Sequence, residues 1–368
     1  MKYVQINSFY NGSTGTIMRN LHKELQEQGH DSYIFWGRRH ETISDHEACC
    51  ASKSGVYVHG VLSRLTDRAG FYSKRDTRRL LKKLDEIDPD VVHLHNIHGY
   101  YINVEMLFEW LARHRCQVKW TLHDCWAFTG HCSYFTYVDC DRWSVGCRDC
   151  PQKSGYPKSV FLDSSARNFQ DKKRLFSLVP IERMKIVTPS QWLASLVSRS
   201  FLSQYPMEIV HNTVDTRVFR PTPSDFAVRH NLGGRKIVLG VANPWSDRKG
   251  LDDMIELASL LPDPWIVAVV GLTKGQINRM PSDMLALGRT SSARELAEIY
   301  SAARVFVNPT REDNFPTVNL EAEACGTPVI TYDVGGCRET ISLPESSVVT
   351  MAPHKQMMAE LSRKVRSI

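Results

Sequence analysis

The chain has 368 residues, 42% apolar and 23% charged, which makes it globular and long enough for two domains of ordinary size. Its net charge of +6 permits contact with anionic lipid or phosphorylated substrates but does not demand nucleic acid. No apolar run approaches the roughly 18 residues that a membrane span requires.

The opening MKYVQINSFY reads as a first strand, not as a secretory signal, so a cytoplasmic protein is expected. In that compartment its ten cysteines should be thiols or metal ligands, not disulfides. After the strand Lys2–Asn7 comes a glycine-containing turn, Asn11 to Gly15. An amphipathic helix follows from Ile17 to Gln28, and then a strand from Tyr33 to Trp36. This βαβ opening offers backbone N–H groups at a helix start, a place for anions.

Arg64 to Lys83 holds eight basic residues against Asp67 and Asp76. The run reads equally as a solvated helix face or as an attachment surface for anionic lipid headgroups or a lipid-diphosphate acceptor. The second reading would bring a cytoplasmic protein to the inner face of the cytoplasmic membrane. The strand Val91–Leu94 runs into His95, Asn96 and His98, and strand alternation places His93 and His95 on the same side. Another strand, Val118–Leu122, ends at His123-Asp124.

The stretch 125–155, CWAFTGHCSYFTYVDCDRWSVGCRDCPQKSG, breaks the α/β pattern. Cys132, Cys140, Cys147 and Cys150 fall within nineteen residues, and the last pair has the C-x2-C form of zinc sites. A small insert with little core of its own gains from a metal clamp. A structural zinc is therefore expected on these four, with His131 or Cys125 as substitute ligands; the competing expectation is a packed loop of reduced thiols. A helical segment ending near Phe176, the strand Met184–Thr188 and a helix from Gln191 complete this half. In the second half the strand Lys236–Val241, a long turn 243–250 and the helix Leu251–Leu261 come first. The strand Trp265–Val270 and the helix Ala293–Ala302 follow.

The most telling stretch is RVFVNPTREDNFPTVNLEAEACGTPVITYDVGGCRET, Arg304 to Thr340. It reads as strand, polar turn, helix (Thr317–Ala324) and strand (Pro328–Tyr332), the unit of a parallel sheet. Ligands of such sheets sit beyond the carboxyl ends of the strands. Asp313 lies just past one such end, and Glu321 lies on the helix after it.

The acidic-x7-Glu spacing of Asp313 and Glu321, with EAEACGTPVIT and GGCRET, resembles the donor site of retaining family 4 glycosyltransferases. The DVVHLHN, TPSQWLA and VHNTVDTRVFRP segments fit the same family, and WAFTGHC…GCRDCP is similar to members that build bacterial exopolysaccharide of the colanic-acid type. The resemblance implies a GT-B fold, α/β, of two facing Rossmann-like domains with an interdomain cleft and a Cys-rich insert in the first. An acceptor-side domain would span 1–215 (insert 125–155), a linker 216–234, a donor domain 235–350 and a terminal helix 351–368.

It further implies transfer of a sugar from a UDP- or GDP-sugar to a glycan or polyprenyl-diphosphate-linked acceptor, with retention of configuration and no catalytic cofactor. Glu321 would hold the ribose diol. Asp313, with Asn314 and Phe315, would face the donor sugar. Lys249 and the helix start at Pro316, Thr317 and Val318 would hold the diphosphate, with Arg248 supplying the charge missing at Asn243. Gly288, Arg289 and Thr290 would read the nucleobase. Gly12 and Gly15 would lie across from the diphosphate, and His123 beside the transferred sugar. Two rivals stand: an epimerase of the same fold, against which the Glu321 motif argues, and a nucleotide-sugar-binding subunit without catalysis, suggested by the Asp at 313 and the Asn at 243.

Overall fold

The computed structural model describes residues 1–38 and 40–368. The chain divides between His211 and Asn212 into two compact units.

The first unit is built on a seven-stranded sheet of β1 (Lys2–Phe9), β2 (Asp31–Arg38), β3 (Glu47–Cys49), β4 (Val91–Leu94), β5 (Gln117–Thr121), β6 (Met184–Thr188) and β7 (Met207–Ile209). Their spatial order is β3-β2-β1-β4-β5-β6-β7, every pair parallel. The second unit has β8 (Lys236–Val241), β9 (Trp265–Val270), β10 (Leu285–Leu287), β11 (Val305–Asn308), β12 (Val329–Tyr332) and β13 (Ser347–Val349). Their order, β10-β9-β8-β11-β12-β13, is again all parallel. Each sheet reverses its strand order once, between β1 and β4 and between β8 and β11. Such switch points open a crevice at the carboxyl ends of the strands.

Sequence explains why β9 is central. All six residues of WIVAVV are buried, as befits a parallel strand covered on both faces. Trp265, Val267 and Val269 point into one apolar cluster, and Ile266, Ala268 and Val270 into the other. The C-terminal helix His354–Ser367 closes the first face with Met357, Met358, Leu361 and Val365. The expected linker 216–234 is not a free connector. It carries the short helix Phe226–Arg229, and Phe226 and Leu232 are buried in the second cluster.

The basic run is also different from a uniform face. It belongs to two helices, Lys53–Thr66 and Lys74–Ile87, and Asp67 and Asp76 between and within them are buried. Asp76 accepts from the backbone and hydroxyl of Ser52 (3.0 and 2.8 Å). Arg68 is drawn onto Asp171 (2.7 Å) and over the Phe71 ring. Arg64, Lys74, Arg75, Arg78, Arg79 and Lys82 remain exposed.

Segment 125–155 contains only short 3-10 turns. It folds over its own aromatic nucleus, Phe128, Phe135 and Trp143, with the last two rings stacked 4.9 Å apart. Lys172 anchors its root from the helix Ser165–Phe176. Its fully buried ammonium donates to the carbonyls of Trp126 (2.7 Å) and Thr129 (3.0 Å) and sits 3.4 Å over the Trp126 ring. Lys172→Met keeps the apolar stem but leaves two buried carbonyls unpaired. Loss of about 2–4 kcal/mol of unfolding free energy is expected in urea titration, and an unchanged midpoint would show that the ammonium is not the anchor.

Candidate functional site

In the second unit, three chain segments meet at the carboxyl ends of β8, β11 and β12. The turn after β8 is pinned by Trp245, whose indole N–H donates to the Val270 carbonyl (2.8 Å). It ends at Gly250, whose φ of 74° suits glycine and where a Cβ would lie 2.2 Å from the Pro309 carbonyl oxygen. The loop 309–314 after β11 lies against that turn: the Arg311 N–H donates to the Arg248 carbonyl (2.8 Å) and the Arg248 guanidinium to the Glu312 carbonyl (2.6 Å). The turn after β12 closes from the other side. Gly336 N–H donates to the Asp313 carbonyl (3.2 Å), and a Cβ on Gly335 would fall 1.8 Å from that same oxygen.

One buried charge pair ties this loop to the scaffold. Arg311 Nη2 reaches Asp253 Oδ1 at 2.5 Å, and the Tyr332 hydroxyl donates to Asp253 Oδ2 at 2.7 Å. Asp253 is on the helix Leu251–Leu260 and is buried. Sequence reading did not single out Arg311, Asp253 or Tyr332. No motif spacing joins them, because the contact is made between a loop, a helix and a strand far apart in the chain.

Held this way, Asp313 meets the Lys249 ammonium at 2.5 Å. Burial acts to raise the Asp313 carboxyl, but Lys249, its hydrogen bond and Arg248 outweigh it, and the net shift is downward. Asp313 is therefore an anion that neutralises Lys249. Arg248, expected as a diphosphate cation, is placed on a loop carbonyl. Asn314 and Phe315 are buried.

Pro316 is the N-cap residue of the helix Thr317–Ala324, and no side chain caps that end. One turn on, Glu321 Oε2 accepts from the Tyr300 hydroxyl (3.2 Å). Burial raises the Glu321 carboxyl to about 7 against the opposing bonds from Tyr300 and Thr317. Gly288, Arg289 and Thr290 directly follow β10, at the same end of the sheet.

In the first unit the corresponding switch point is lined by histidines. His93 and His95 rings stack 4.3 Å apart, as alternation along β4 predicts. His95 Nδ1 lies 3.2 Å from His123 Nε2, and His95 Nε2 lies 3.2 Å from Gln5 Oε1 on β1. A second chain runs beside it: the Tyr156 hydroxyl to His98 Nδ1 (3.0 Å), and His98 Nε2 to Asp124 Oδ2 (2.8 Å). Gly12 (φ 87°) starts the helix Ser13–Glu27, and a Cβ on Gly15 would lie 2.2 Å from the Tyr10 carbonyl oxygen.

Cys132, Cys140, Cys147 and Cys150 do gather, with His131, around one small cavity. Three of the four sulfurs have partners. The Cys132 and Cys150 thiols hydrogen-bond each other, which raises the first and lowers the second to about 7. Gly130 N–H donates to Cys147 Sγ (3.1 Å). His131 is turned onto Asp67. Among the described residues no group of three or more His, Cys, Asp or Glu side chains is arranged to hold a metal ion. No step below uses a metal ion.

Comparison with known proteins places the chain in a family. The description Glycosyltransferase Family 4 matches residues 14–218, and Glycosyl transferases group 1 matches residues 225–367. The putative colanic acid biosynthesis glycosyl transferase WcaC of Escherichia coli K12 is 24% identical over 350 residues, 90% of this chain and 82% of that protein. The D-inositol 3-phosphate glycosyltransferase of Mycolicibacterium vanbaalenii is 27% identical over 338 residues, 85% of this chain and 68% of that one. Sucrose-phosphate synthase from Thermosynechococcus elongatus has a TM-score of 0.70 at 16% identity, covering 100% of this chain and 90% of its own. Anabaena HepE in complex with UDP has a TM-score of 0.63 at 13% identity, covering 100% and 89%.

Two parallel-sheet units with these neighbours show the GT-B fold, and the two family matches make the chain a glycosyltransferase. Within that class the chain belongs to glycosyltransferase family 4.

The histidines give the first unit a pH signature. Burial lowers His59 and His93 to about 3 and His123 to about 4, and drives His95 well below its ordinary value. Unfolded, each titrates near 6.5. Between those values the unfolded chain binds protons that the folded chain refuses, so stability is full above about pH 7 and lost as pH falls. The slope is about 1.4 kcal/mol per pH unit for each histidine. Glu321, raised to about 7, acts in the opposite sense and offsets one of them. Urea unfolding should show stability several kcal/mol lower at pH 5 than at pH 7; equal values at both would contradict neutral burial.

Proposed function

We propose that the protein transfers a sugar from a nucleotide-sugar donor to a glycan or lipid-linked acceptor in the assembly of a bacterial surface polysaccharide, with retention at the anomeric carbon. The observation that carries this reading is the grouping of Lys249, Asp313, the uncapped start of the helix Thr317–Ala324 and Glu321 around one switch point. A carboxylate has two oxygens for the two hydroxyls of a ribose, the role assigned to Glu321. An ammonium and free helix N–H groups suit a diphosphate. In support, a structural neighbour is described in complex with UDP-glucose, and the relative from Escherichia coli is described as a colanic acid biosynthesis enzyme.

The reaction needs no protein nucleophile. The acceptor hydroxyl oxygen bonds the anomeric carbon on the face from which the diphosphate leaves. The bond from that carbon to the phosphate oxygen breaks, and the hydroxyl proton passes to the departing phosphate. Lys249 and the helix start stabilise the charge that grows on the leaving group. Asp313 takes hydrogen bonds from the donor sugar.

The free protein pairs Lys249 with Asp313, so an incoming diphosphate competes with that carboxylate. Asp313→Asn should bind nucleoside diphosphate about tenfold tighter while transfer falls at least as much, since one charge-assisted bond is worth about 1.5–3 kcal/mol. Calorimetry with UDP and GDP, and release of nucleoside diphosphate across a donor panel, measure both. Silence of the parent protein in both assays would end the transferase reading.

The first unit also exposes Tyr57, Val58, Leu65, Phe161 and Leu162, besides six exposed basic side chains on and beside the helix Lys74–Ile87. We assign this surface to contact with anionic lipid, which would serve a lipid-linked acceptor. No helix among the described residues is long and apolar enough to cross a membrane. The variant Arg75→Glu, Arg78→Glu, Lys82→Glu should lose co-sedimentation with vesicles containing phosphatidylglycerol, each charge being worth about 1 kcal/mol. Undiminished binding would remove the assignment.

A further inference from the structure

We propose that the Tyr300 and Thr317 hydroxyls are positioning groups for Glu321: they fill part of its carboxylate's hydrogen-bonding capacity and leave the rest for the 2′- and 3′-hydroxyls of a ribose, so that the site selects ribonucleotides over 2′-deoxyribonucleotides. The proposal rests on the reading that Glu321 holds the donor ribose, and deepens it by naming what orients the carboxylate and what that excludes.

A carboxylate accepts hydrogen bonds and does not donate them, and it offers about four lone-pair sites. The Tyr300 hydroxyl therefore donates to Glu321 Oε2 across their 3.2 Å contact. The Thr317 hydroxyl, one turn back on the same helix, bonds the same carboxyl. With these filled, about two sites remain, one for each hydroxyl of a ribose diol. A 2′-deoxyribose brings a single hydroxyl to them and leaves an acceptor of the carboxylate unpaired. Glu321 is only partly buried as a residue, which gives a ligand access to it.

Tyr300 is built to hold a direction. It is fully buried on the helix Ala293–Ala302, with its ring edge-on to Phe306 of β11 (centroids 5.4 Å apart) and against Phe219 (6.3 Å). Its carbonyl accepts from the Thr327 hydroxyl (2.6 Å), just beyond the end of the helix that carries Glu321. Burial, and then Glu321, hold the phenol well above its ordinary value, so it stays a donor. The helix Ala293–Ala302, β11, β12 and the turn Cys337–Thr340 pack against the helix of Glu321. Of the titratable groups on those elements, Tyr300 is the one that acts on the carboxyl. Cys325, at the end of the carboxyl's own helix, is raised to about 11, chiefly by burial, and stays a neutral thiol. The carboxyl itself lies at about 7. Its acceptor form, and with it the discrimination, is therefore gained as pH rises through that value.

Calorimetry on the full-length protein with UDP, GDP and their 2′-deoxy forms reads the proposal, because each pair shares base and phosphates and differs in one hydroxyl. A ribonucleotide should bind about tenfold tighter than its deoxy form at about pH 8.5, and that ratio should shrink toward one at about pH 6. Tyr300→Phe keeps the ring and removes the donor. The midpoint of the pH dependence should then move up by about one unit, equivalent to a tenfold change, and the ratio at neutral pH should fall. Thr317→Val keeps the helix N–H and should act in the same direction; it decides alone if circular dichroism shows Tyr300→Phe unfolded. A parent protein without preference at about pH 8.5, or a folded variant with ratio and midpoint unchanged, overturns the proposal. A Glu321→Gln protein that binds ribonucleotide as tightly as the parent, or a parent that binds neither UDP nor GDP, overturns instead the reading beneath it.

Discussion

The second unit depends on backbone-to-backbone contact at two glycines. At Gly250 and Gly335 a methyl group would lie 2.2 and 1.8 Å from the carbonyl oxygens of Pro309 and Asp313. Any side chain there would push the loop off the sheet edge. With the loop seated, its polar groups find partners within the unit: Arg248 on Glu312, Arg311 on Asp253, Lys249 on Asp313. The order of causes runs from backbone fit to charge pairing. The ion pairs hold a shape that the glycines permit, because a buried pair is a modest source of net stability but costly to break once formed.

The two switch points are used differently. In the second unit the crevice is lined by full charges and a helix start, a surface for a strongly anionic ligand. In the first it is lined by imidazoles, an amide, a phenol and the Asp124 carboxylate joined in hydrogen-bonded chains.

Much of this was legible in the sequence. The central strands, with their unbroken apolar runs, lie where the pattern puts them; β4, β6, β8 and β9 have the expected bounds. The elements of Arg304–Thr340 read correctly because strand, turn, helix and strand follow without interruption. The three-residue strands β3, β7, β10 and β13 were not legible: each sits at or near a sheet edge, and three residues carry no period. The stretch 216–234 looked like a linker because its apolar residues, Phe226 and Leu232, are sparse and polar in surroundings; only tertiary packing shows that they enter the core. The basic run misled in a similar way, since Arg68 and Asp76 have partners remote in sequence. The cysteine spacing pointed to a cluster and the cluster exists, but spacing does not fix where each sulfur points.

The partnering of charges also bears on how such a site can be both ready and stable. An ammonium aimed at an empty anion site would weaken the folded state through its own desolvation. Asp313 removes that cost in the free protein by lying 2.5 Å from Lys249. The same carboxylate sits on the loop before the helix that carries Glu321, so a ligand that reaches Lys249 meets Asp313 in the same step. Exchange of one anion for another, and not the filling of a bare cationic pocket, is the event that the geometry prepares. Its net energy is small by construction, because one ion pair replaces another.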